Sequence, residues 1–176
     1  PERDFIALSQ IAIIPMVLVV HPSVNVRNVK QLIALAKSKP GALNYGSAGN
    51  GSANHLTMEV FRSMAGISVV HVPYNTAPAA INAVVADQVA AFCPAAPSVA
   101  TIAQAGKIKA LGVTYREPTR LLPGVPPVSD TVRGFELPGW YGVQATLGTP
   151  PETLARTCSR GNRAGTGKPY SAAAWV

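Results

Sequence analysis

The stretch most informative for chemistry is the glycine-rich segment 46–52, which reads Gly-Ser-Ala-Gly-Asn-Gly-Ser. Its three glycines permit positive φ angles and a close approach of the backbone to a ligand. The segment follows a short predicted strand and opens a predicted helix, so the first N–H groups of that helix would point at whatever binds there. Such a site suits a carboxylate or phosphate oxygen and needs no charged side chain. The same residues also fit a plain tight turn, and the local sequence favours neither interpretation.

Two further loops, 73–76 and 94–98, also follow predicted strands and precede predicted helices. Ligands of open α/β sheets bind outside the carboxyl ends of the strands, so all three loops are expected at one binding edge. Tyr74 could stack on a ligand or simply pack, while Asn75 and Thr76 could bind a ligand or form a solvated helix cap. The candidate ligand-binding residues are Gly46, Ser47, Ala48, Gly49, Asn50, Gly51, Ser52, Tyr74 and Asn75.

Catalytic and metal-binding patterns are weak throughout the sequence. There is no Gly-x-Ser-x-Gly nucleophile elbow, the three histidines lack metal-ligand spacing, and the eight acidic residues are scattered. The stretch 161–168 imitates a phosphate loop, but Pro169 stands where Ser or Thr is needed. Cys93 is expected to be a small buried residue. We therefore expect a binding protein without catalytic residues, metal or cofactor, with a nucleotide- or phosphate-using α/β enzyme that exploits the same loop as the alternative.

The elements that must position these loops alternate between strand and helix. Hydrophobic patterning predicts strands near 11–20, 43–45, 68–72, 89–92, 109–114 and 140–145, and helices over 28–39, after Ser52, over 77–86 and over 99–105. In the helix after Ser52, Leu56, Val60 and Met64 share one face. Short loops between alternating elements imply crossover connections, so an α/β fold with a mostly parallel sheet flanked by helices is expected.

Charge and composition narrow the classes of protein further. The 176 residues carry a net charge of +7, but residues 156–176 hold four bases and no acid and so supply +4 of it. Because the remaining bases do not cluster and aromatic residues make up only 6%, a nucleic-acid binder is the least favoured class. No apolar run approaches the roughly 20 residues that span a bilayer, so the chain is not expected to cross a membrane itself.

Many short motifs occur in one order that resembles a known family, the Bug (TctC-like) substrate-binding proteins of tripartite tricarboxylate transporters. The resemblance spans about residues 1–156. The motifs include Val19-Val-His-Pro-Ser23, Lys39-Pro-Gly41, Leu43-Asn-Tyr-Gly-Ser47, Gly49-Asn-Gly51, Val70-His-Val-Pro-Tyr74, Trp140-Tyr-Gly142 and Gly148-Thr-Pro150.

The resemblance implies a type II periplasmic binding protein-like fold whose two lobes close around a small organic carboxylate. Family members hold the carboxylate mainly through backbone N–H groups, hydroxyls and waters. By position, Ser47, Gly49, Asn50 and Tyr74 carry over, whereas Asn75-Thr76 and Cys93 depart from the family pattern. The resemblance also implies a periplasmic protein without turnover, whose partners are the carboxylate ligand and the membrane subunits of the transporter.

The same resemblance divides the chain into expected segments. We expect a partial first-lobe or hinge segment over 1–14, a ligand-binding second lobe over 15–116 and a returning first-lobe segment over 117–156. Family members carry further residues before the equivalent of Pro1, including an export signal, so a partial chain is expected. Residues 157–176 form an atypical basic tail that we hypothesise to arise from a frameshift near residue 157, because back-translation in a shifted frame yields a helix-like sequence.

Overall fold

The strands and helices occur in the expected alternation. The computed structural model describes residues 4–163, with side chains described for residues 4–157. The strands are β1 Phe5–Ile14, β2 Val17–Val20, β3 Asn44–Ser47, β4 Val70–Pro73, β5 Ala91–Phe92, β6 Lys109–Val113 and β7 Gly139–Thr146. The helices are α1 Val29–Ser38, α2 Ala53–Ala65, α3 Ala77–Val85, α4 Ala96–Gln104 and α5 Pro151–Arg163. Among the described residues, none of these helices is long and apolar enough to cross a bilayer.

The chain divides into two units, of which the larger comprises Pro15–Pro138. Its five-stranded sheet has the order β4-β3-β5-β2-β6. β3 runs parallel to β4 and β5, and only β2 runs antiparallel to its neighbours β5 and β6. Four of the five strands therefore point the same way, as expected for a sheet built from crossover connections.

Helices cover both faces of this sheet. Alternate residues of β2 point to opposite sides, so Leu18 and Val20 join the core under α1 and α2, whereas Val17 and Val19 join the core under α3 and α4. All four β2 residues are buried, which explains why the sequence there is continuously apolar rather than alternating. The α/β fold with a mostly parallel sheet flanked by helices is thus confirmed.

The smaller unit is formed by residues 1–14 together with 139–176. In its described part, β1 pairs with β7 as an antiparallel ribbon that contains two register shifts, and α5 packs against β1. The apolar run Ile11–Val20 is thus a strand pair divided at Pro15, whose two strands belong to different sheets.

Two boundaries in the structure differ from the sequence expectation. The boundary between the units falls at Pro138, so residues 117–138, expected in a returning first-lobe segment, belong to the larger unit. Leu122 and Val128 explain this, because they are buried in its two cores. The lobe to which each unit corresponds stays a prediction.

The helix predicted over 99–105 begins earlier, at Ala96, because Pro97 is tolerated in a first helical turn. α5 also extends to Arg163, into the segment predicted as a non-helical tail. The rest of that tail, residues 164–176, and most of the phosphate-loop-like stretch 161–168 lie outside the described residues.

The expected apolar face of α2 points outward. Leu56, Val60 and Met64 are exposed, whereas Met58 and Phe61 are buried against the sheet. Periodicity alone had assigned the wrong face, because α2 carries apolar residues around most of its circumference and only the sheet decides which are covered.

This orientation predicts different costs for the same substitution at two places on one helix. Met58→Ala removes a side chain that is 2% exposed and should lower the free energy of unfolding by about 2–5 kcal/mol. Met64→Ala, at a position 44% exposed, should change it by no more than about 0.5 kcal/mol. Urea unfolding followed by circular dichroism measures both variants, and equal losses would contradict the assigned orientation of α2.

Candidate functional site

The carboxyl ends of β3, β4 and β5 bring the three predicted loops to one edge of the sheet. β3 pairs in register with β4, so Ser47 lies opposite Pro73, and the loops that follow both strands emerge side by side. β5 runs parallel to β3 and ends at the same edge. A hydrogen bond of 2.7 Å from the Asn54 side chain to the Cys93 carbonyl joins the start of α2 to the loop after β5. The sequence-based expectation that these loops share an edge is confirmed.

Glycine is required at two places in the segment 46–52. Gly49 has φ +111° and Gly51 has φ +75°, and both values lie where an L side chain is strained. They allow the chain to leave the buried strand at Ser47 and enter α2 at Ala53 within five residues. Gly46 lies in β3 itself, and a Cβ there would contact Val89, Ala80 and Tyr74 at 3.4–3.6 Å.

The two serines of the segment bind its own backbone. The buried Ser47 hydroxyl accepts a hydrogen bond from the Gly49 N–H at 3.1 Å. Ser52 is the N-cap of α2: its hydroxyl accepts from the His55 N–H at 3.3 Å and donates to the Gly49 carbonyl at 2.7 Å. Both side chains therefore shape the loop, and their predicted contact with a ligand stays a prediction.

The start of α2 offers backbone donors toward this edge. The first turn of a helix has N–H groups without an intrahelical acceptor. The Ser52 hydroxyl accepts from the N–H of His55, and the first intrahelical hydrogen bond runs from the Leu56 N–H to the Ser52 carbonyl. The cap leaves the N–H groups of Ala53 and Asn54 for another acceptor, at the positive end of the helix dipole. An anionic oxygen fits these donors.

The predicted residues after β4 divide into different roles. The Tyr74 N–H donates to the Ser47 carbonyl at 3.0 Å, and its half-buried ring lies beside Gly46. Asn75 is exposed. Thr76 caps α3 by accepting from the Ala79 N–H at 3.3 Å, as the alternative interpretation of this loop expected. Tyr74 is thus held against the glycine-rich segment, and Asn75 is the more solvated of the two.

Two of the three histidines, which lack metal-ligand spacing in the sequence, stack beside the loop. The ring centroids of His55 and His71 are 4.1 Å apart, and Tyr45 stacks on His71 at 4.9 Å. The His71 Nε2 lies 2.7 Å from the Ser47 hydroxyl, and the His55 Nδ1 accepts from the Gly51 N–H at 3.1 Å. His71 pairs with Tyr45 in the β3–β4 register, but only knowledge of that pairing could have brought these rings together from the sequence.

A hydrogen-bonded chain of polar groups continues from Tyr45 along α2. The Tyr45 hydroxyl donates to Glu59 at 2.5 Å, and Arg62 donates to the other carboxylate oxygen of Glu59. Burial, and then Glu59, raises the pKa of Tyr45 well above its usual range. Burial acts to raise the pKa of Glu59, but the bonds from Tyr45 and Arg62 outweigh it and hold that pKa below its usual value.

Cys93 is buried as expected, and burial raises the pKa of its thiol. A thiol kept in this protonated form is a poor nucleophile and a poor metal ligand. Among residues 4–163, no group of three or more His, Cys, Asp or Glu side chains is placed to hold a metal ion.

A separate cavity of about 470 Å³ opens at the opposite, amino end of β3. Asn44, Lys39 and Asp87 are among its lining residues. None of the nine predicted ligand-binding residues lines it. The two edges of the sheet are therefore distinguishable places for a ligand.

Comparison with known proteins gives one consistent family. The family model described as "TctC: Tripartite tricarboxylate transporter family receptor" matches residues 1–169, which is further than the expected extent of 1–156. A UPF0065 protein from the tcbD-tcbE intergenic region of Pseudomonas sp. (strain P51) is 33% identical over 93% of this chain and 49% of its own length. Protein BugT of Bordetella pertussis is 27% identical over 86% of this chain and 47% of its own length.

Solved structures agree with these relatives. A protein of R. palustris solved with adipate superposes with a TM-score of 0.82 at 30% identity, over 93% of this chain and 54% of that one. The periplasmic binding protein BugD gives a TM-score of 0.80 at 25% identity, over 92% and 54% of the two chains. The chain thus spans about half the length of the relatives that it matches.

The environment of His71 predicts a pH dependence of stability. Burial, and then repulsion by His55, lowers the pKa of His71, so below about pH 6.5 the unfolded chain binds a proton more readily than the folded one. The free energy of unfolding should therefore fall as the pH decreases from about 6.5 through the pKa of folded His71. Unfolding free energies at about pH 7.5 and pH 5.5 should therefore differ less in His71→Gln than in the unmodified chain. His21→Gln leaves the contacts of His71 intact and should not reduce the pH difference, whereas an unchanged pH difference in His71→Gln would contradict the prediction.

Proposed function

Because the chain belongs to the TctC family of tripartite tricarboxylate transporter receptors, we propose that it is part of a solute-binding protein for a small organic carboxylate. The strongest support is that the segment 46–52 places the N-terminus of α2 at the carboxyl edge of the sheet. The N–H groups of Ala53 and Asn54, which the Ser52 cap leaves over, are the donors we assign to the carboxylate. Backbone donors need no cation, which agrees with a neutral loop.

The neighbouring residues complete the proposed site. Gly49 and Gly51 allow a ligand to approach the backbone, and Asn50 and Asn75 offer exposed amide groups at the rim. Tyr74 lies half-buried against Gly46 and can cover one side of a ligand. The structural neighbour solved with adipate supports a dicarboxylate as the first compound to test.

The wider setting follows from the family. We infer that the whole protein is periplasmic, that it has no catalytic turnover, and that it delivers its ligand to the membrane subunits of a tripartite tricarboxylate-type transporter. The family description and the periplasmic binding protein BugD support this placement. Closure of two lobes around the ligand is the expected binding mechanism and stays a prediction.

A ligand screen tests the class of compound. In a thermal-shift assay, adipate and related dicarboxylates should raise the melting temperature of the chain, because a ligand that binds only the folded state stabilises it. Amino acids and nicotinate-like acids extend the screen to other carboxylates, and ATP and NAD represent the alternative nucleotide-binding enzyme. Stabilisation by a nucleotide but by no carboxylate would contradict the proposed function.

Two matched glycine substitutions test the location of the site. Gly51 and Gly41 both have φ +75°, and a Cβ at either would meet no atom within 4 Å, so each change to Ala adds about 1 kcal/mol of the same backbone strain. Gly51→Ala should lower the affinity for adipate about fivefold, roughly 1 kcal/mol, because it distorts the segment 46–52. Gly41→Ala should leave the affinity unchanged. Isothermal titration calorimetry measures both.

The same pair distinguishes the two edges of the sheet. Gly41 precedes Ala42, which lines the cavity at the amino end of β3. A loss of affinity in Gly41→Ala with none in Gly51→Ala would move the site to that cavity. It would contradict the assignment to the carboxyl edge.

A further inference from the structure

We propose that His55 and His71 are positioning residues that hold the segment 46–52 in its binding shape, and that protonation of His55 releases it, so that ligand affinity falls at acid pH. The inference rests on the function proposed above, since the shape of the segment matters for affinity only if the ligand binds there.

The two rings hold opposite ends of the segment. His71, on β4, contacts the Ser47 hydroxyl at 2.7 Å where the chain leaves β3. His55, on α2, accepts from the Gly51 N–H at 3.1 Å just before the chain enters the helix. The rings stack on each other at 4.1 Å, so the two ends are tied to one common support. Between them lies Gly49, whose φ of +111° is one that only glycine adopts readily.

Protonation affects the two contacts differently. The Gly51 N–H is a donor, so His55 accepts from it only while Nδ1 carries no proton. A protonated Nδ1 would face the Gly51 N–H with a second donor, and that bond would be lost. His71 keeps a way to bind Ser47 in either form, because a protonated Nε2 can donate to the hydroxyl oxygen. The acid-sensitive contact is therefore the one at Gly51.

The groups around the rings come from β3 and from α2 itself. Tyr45, from β3, stacks on His71, and Glu59, on α2, binds both Tyr45 and Arg62. The Glu59 carboxylate also attracts both rings, because it acts to raise the pKa of His71 and His55 in turn helps to lower the pKa of Glu59. Two stacked imidazolium rings would repel each other, and burial and then His55 outweigh the attraction of Glu59 and lower the pKa of His71.

An opposing effect must be separated in the experiment. An imidazolium near an anionic ligand attracts it, which would raise affinity at acid pH. That attraction is screened by salt, whereas the loss of the Gly51 bond is not. Affinity for adipate is therefore measured at roughly 0.5 M salt, where the screening length is only a few ångströms.

The test compares pH profiles of binding in the 176-residue chain. At about pH 5.5 the unmodified chain should bind adipate about fivefold more weakly than at about pH 7.5. In His55→Asn the amide oxygen stands where Nδ1 stood and accepts at every pH, so the affinity ratio should fall to within about twofold. His21→Gln, a histidine substitution away from the segment, should retain the full ratio. Titration of adipate itself is common to all variants and cancels in the comparison.

A second pair of variants tests the His71 contact. His71→Gln places an amide nitrogen where Nε2 lies and should keep the affinity at about pH 7.5 within about twofold, whereas the apolar His71→Leu should lower it about fivefold. Circular dichroism confirms that each variant is folded at both pH values. Equal affinities of the Gln and Leu variants would overturn the role of His71.

Amide resonances separate this inference from the proposed function. Without any ligand, the Gly51 amide shift should change between about pH 7.5 and pH 5.5 in the unmodified chain and stay constant in His55→Asn. If adipate binds at neither pH, the proposed function is contradicted, and the Gly51 resonance alone decides whether the histidines hold the segment. A pH profile of affinity in His55→Asn equal to that of the unmodified chain, or a Gly51 resonance insensitive to pH, would overturn the inference.

Discussion

The connection from β3 to α2 is the constraint on which the rest of the site depends. A buried strand must turn into a covering helix within five residues, and this turn requires positive φ at Gly49 and Gly51. The serine hydroxyls at its two ends satisfy the backbone groups that such a turn leaves without partners. Because the two serine hydroxyls are occupied in this way, the donors left over at the entrance to α2 belong to the backbone at the helix N-terminus. This arrangement suits the capture of an anion by a neutral loop.

Parallel pairing of β3 with its neighbours then places two further loops beside that turn. β3 runs parallel to both β4 and β5, so the loops after all three strands emerge at the same edge. The Asn54–Cys93 hydrogen bond joins the start of α2 to the loop after β5. The strands themselves are short, and their stability comes from burial on both faces by α1, α2, α3 and α4. The two cores thus hold the strand ends in place, and the strand ends place the loop.

Much of this architecture was predictable from the sequence. The helix predicted over 28–39 is observed and is capped by Asn28, whose side chain accepts from the Gln31 backbone N–H at 2.9 Å. The glycine-rich turn also lies where the pattern placed it. Local signals succeeded because caps and positive-φ glycines act within a few residues. The outward face of α2 and the early start of α4 were missed, since the first depends on which face the sheet covers and the second on a proline that helices tolerate in their first turn. The His55–His71 stack joins residues of different elements, and no single-sequence pattern encodes such a contact.

The central claim is that a carboxylate binds the backbone at the start of α2. It is tested most directly by adding adipate to the isotopically labelled chain and following the amide resonances. The largest shifts should occur at Gly49, Ala53 and Asn54. Shifts confined to Asn44, Asp87 and Gln88 at the opposite edge of the sheet, or no shift at any residue, would contradict it.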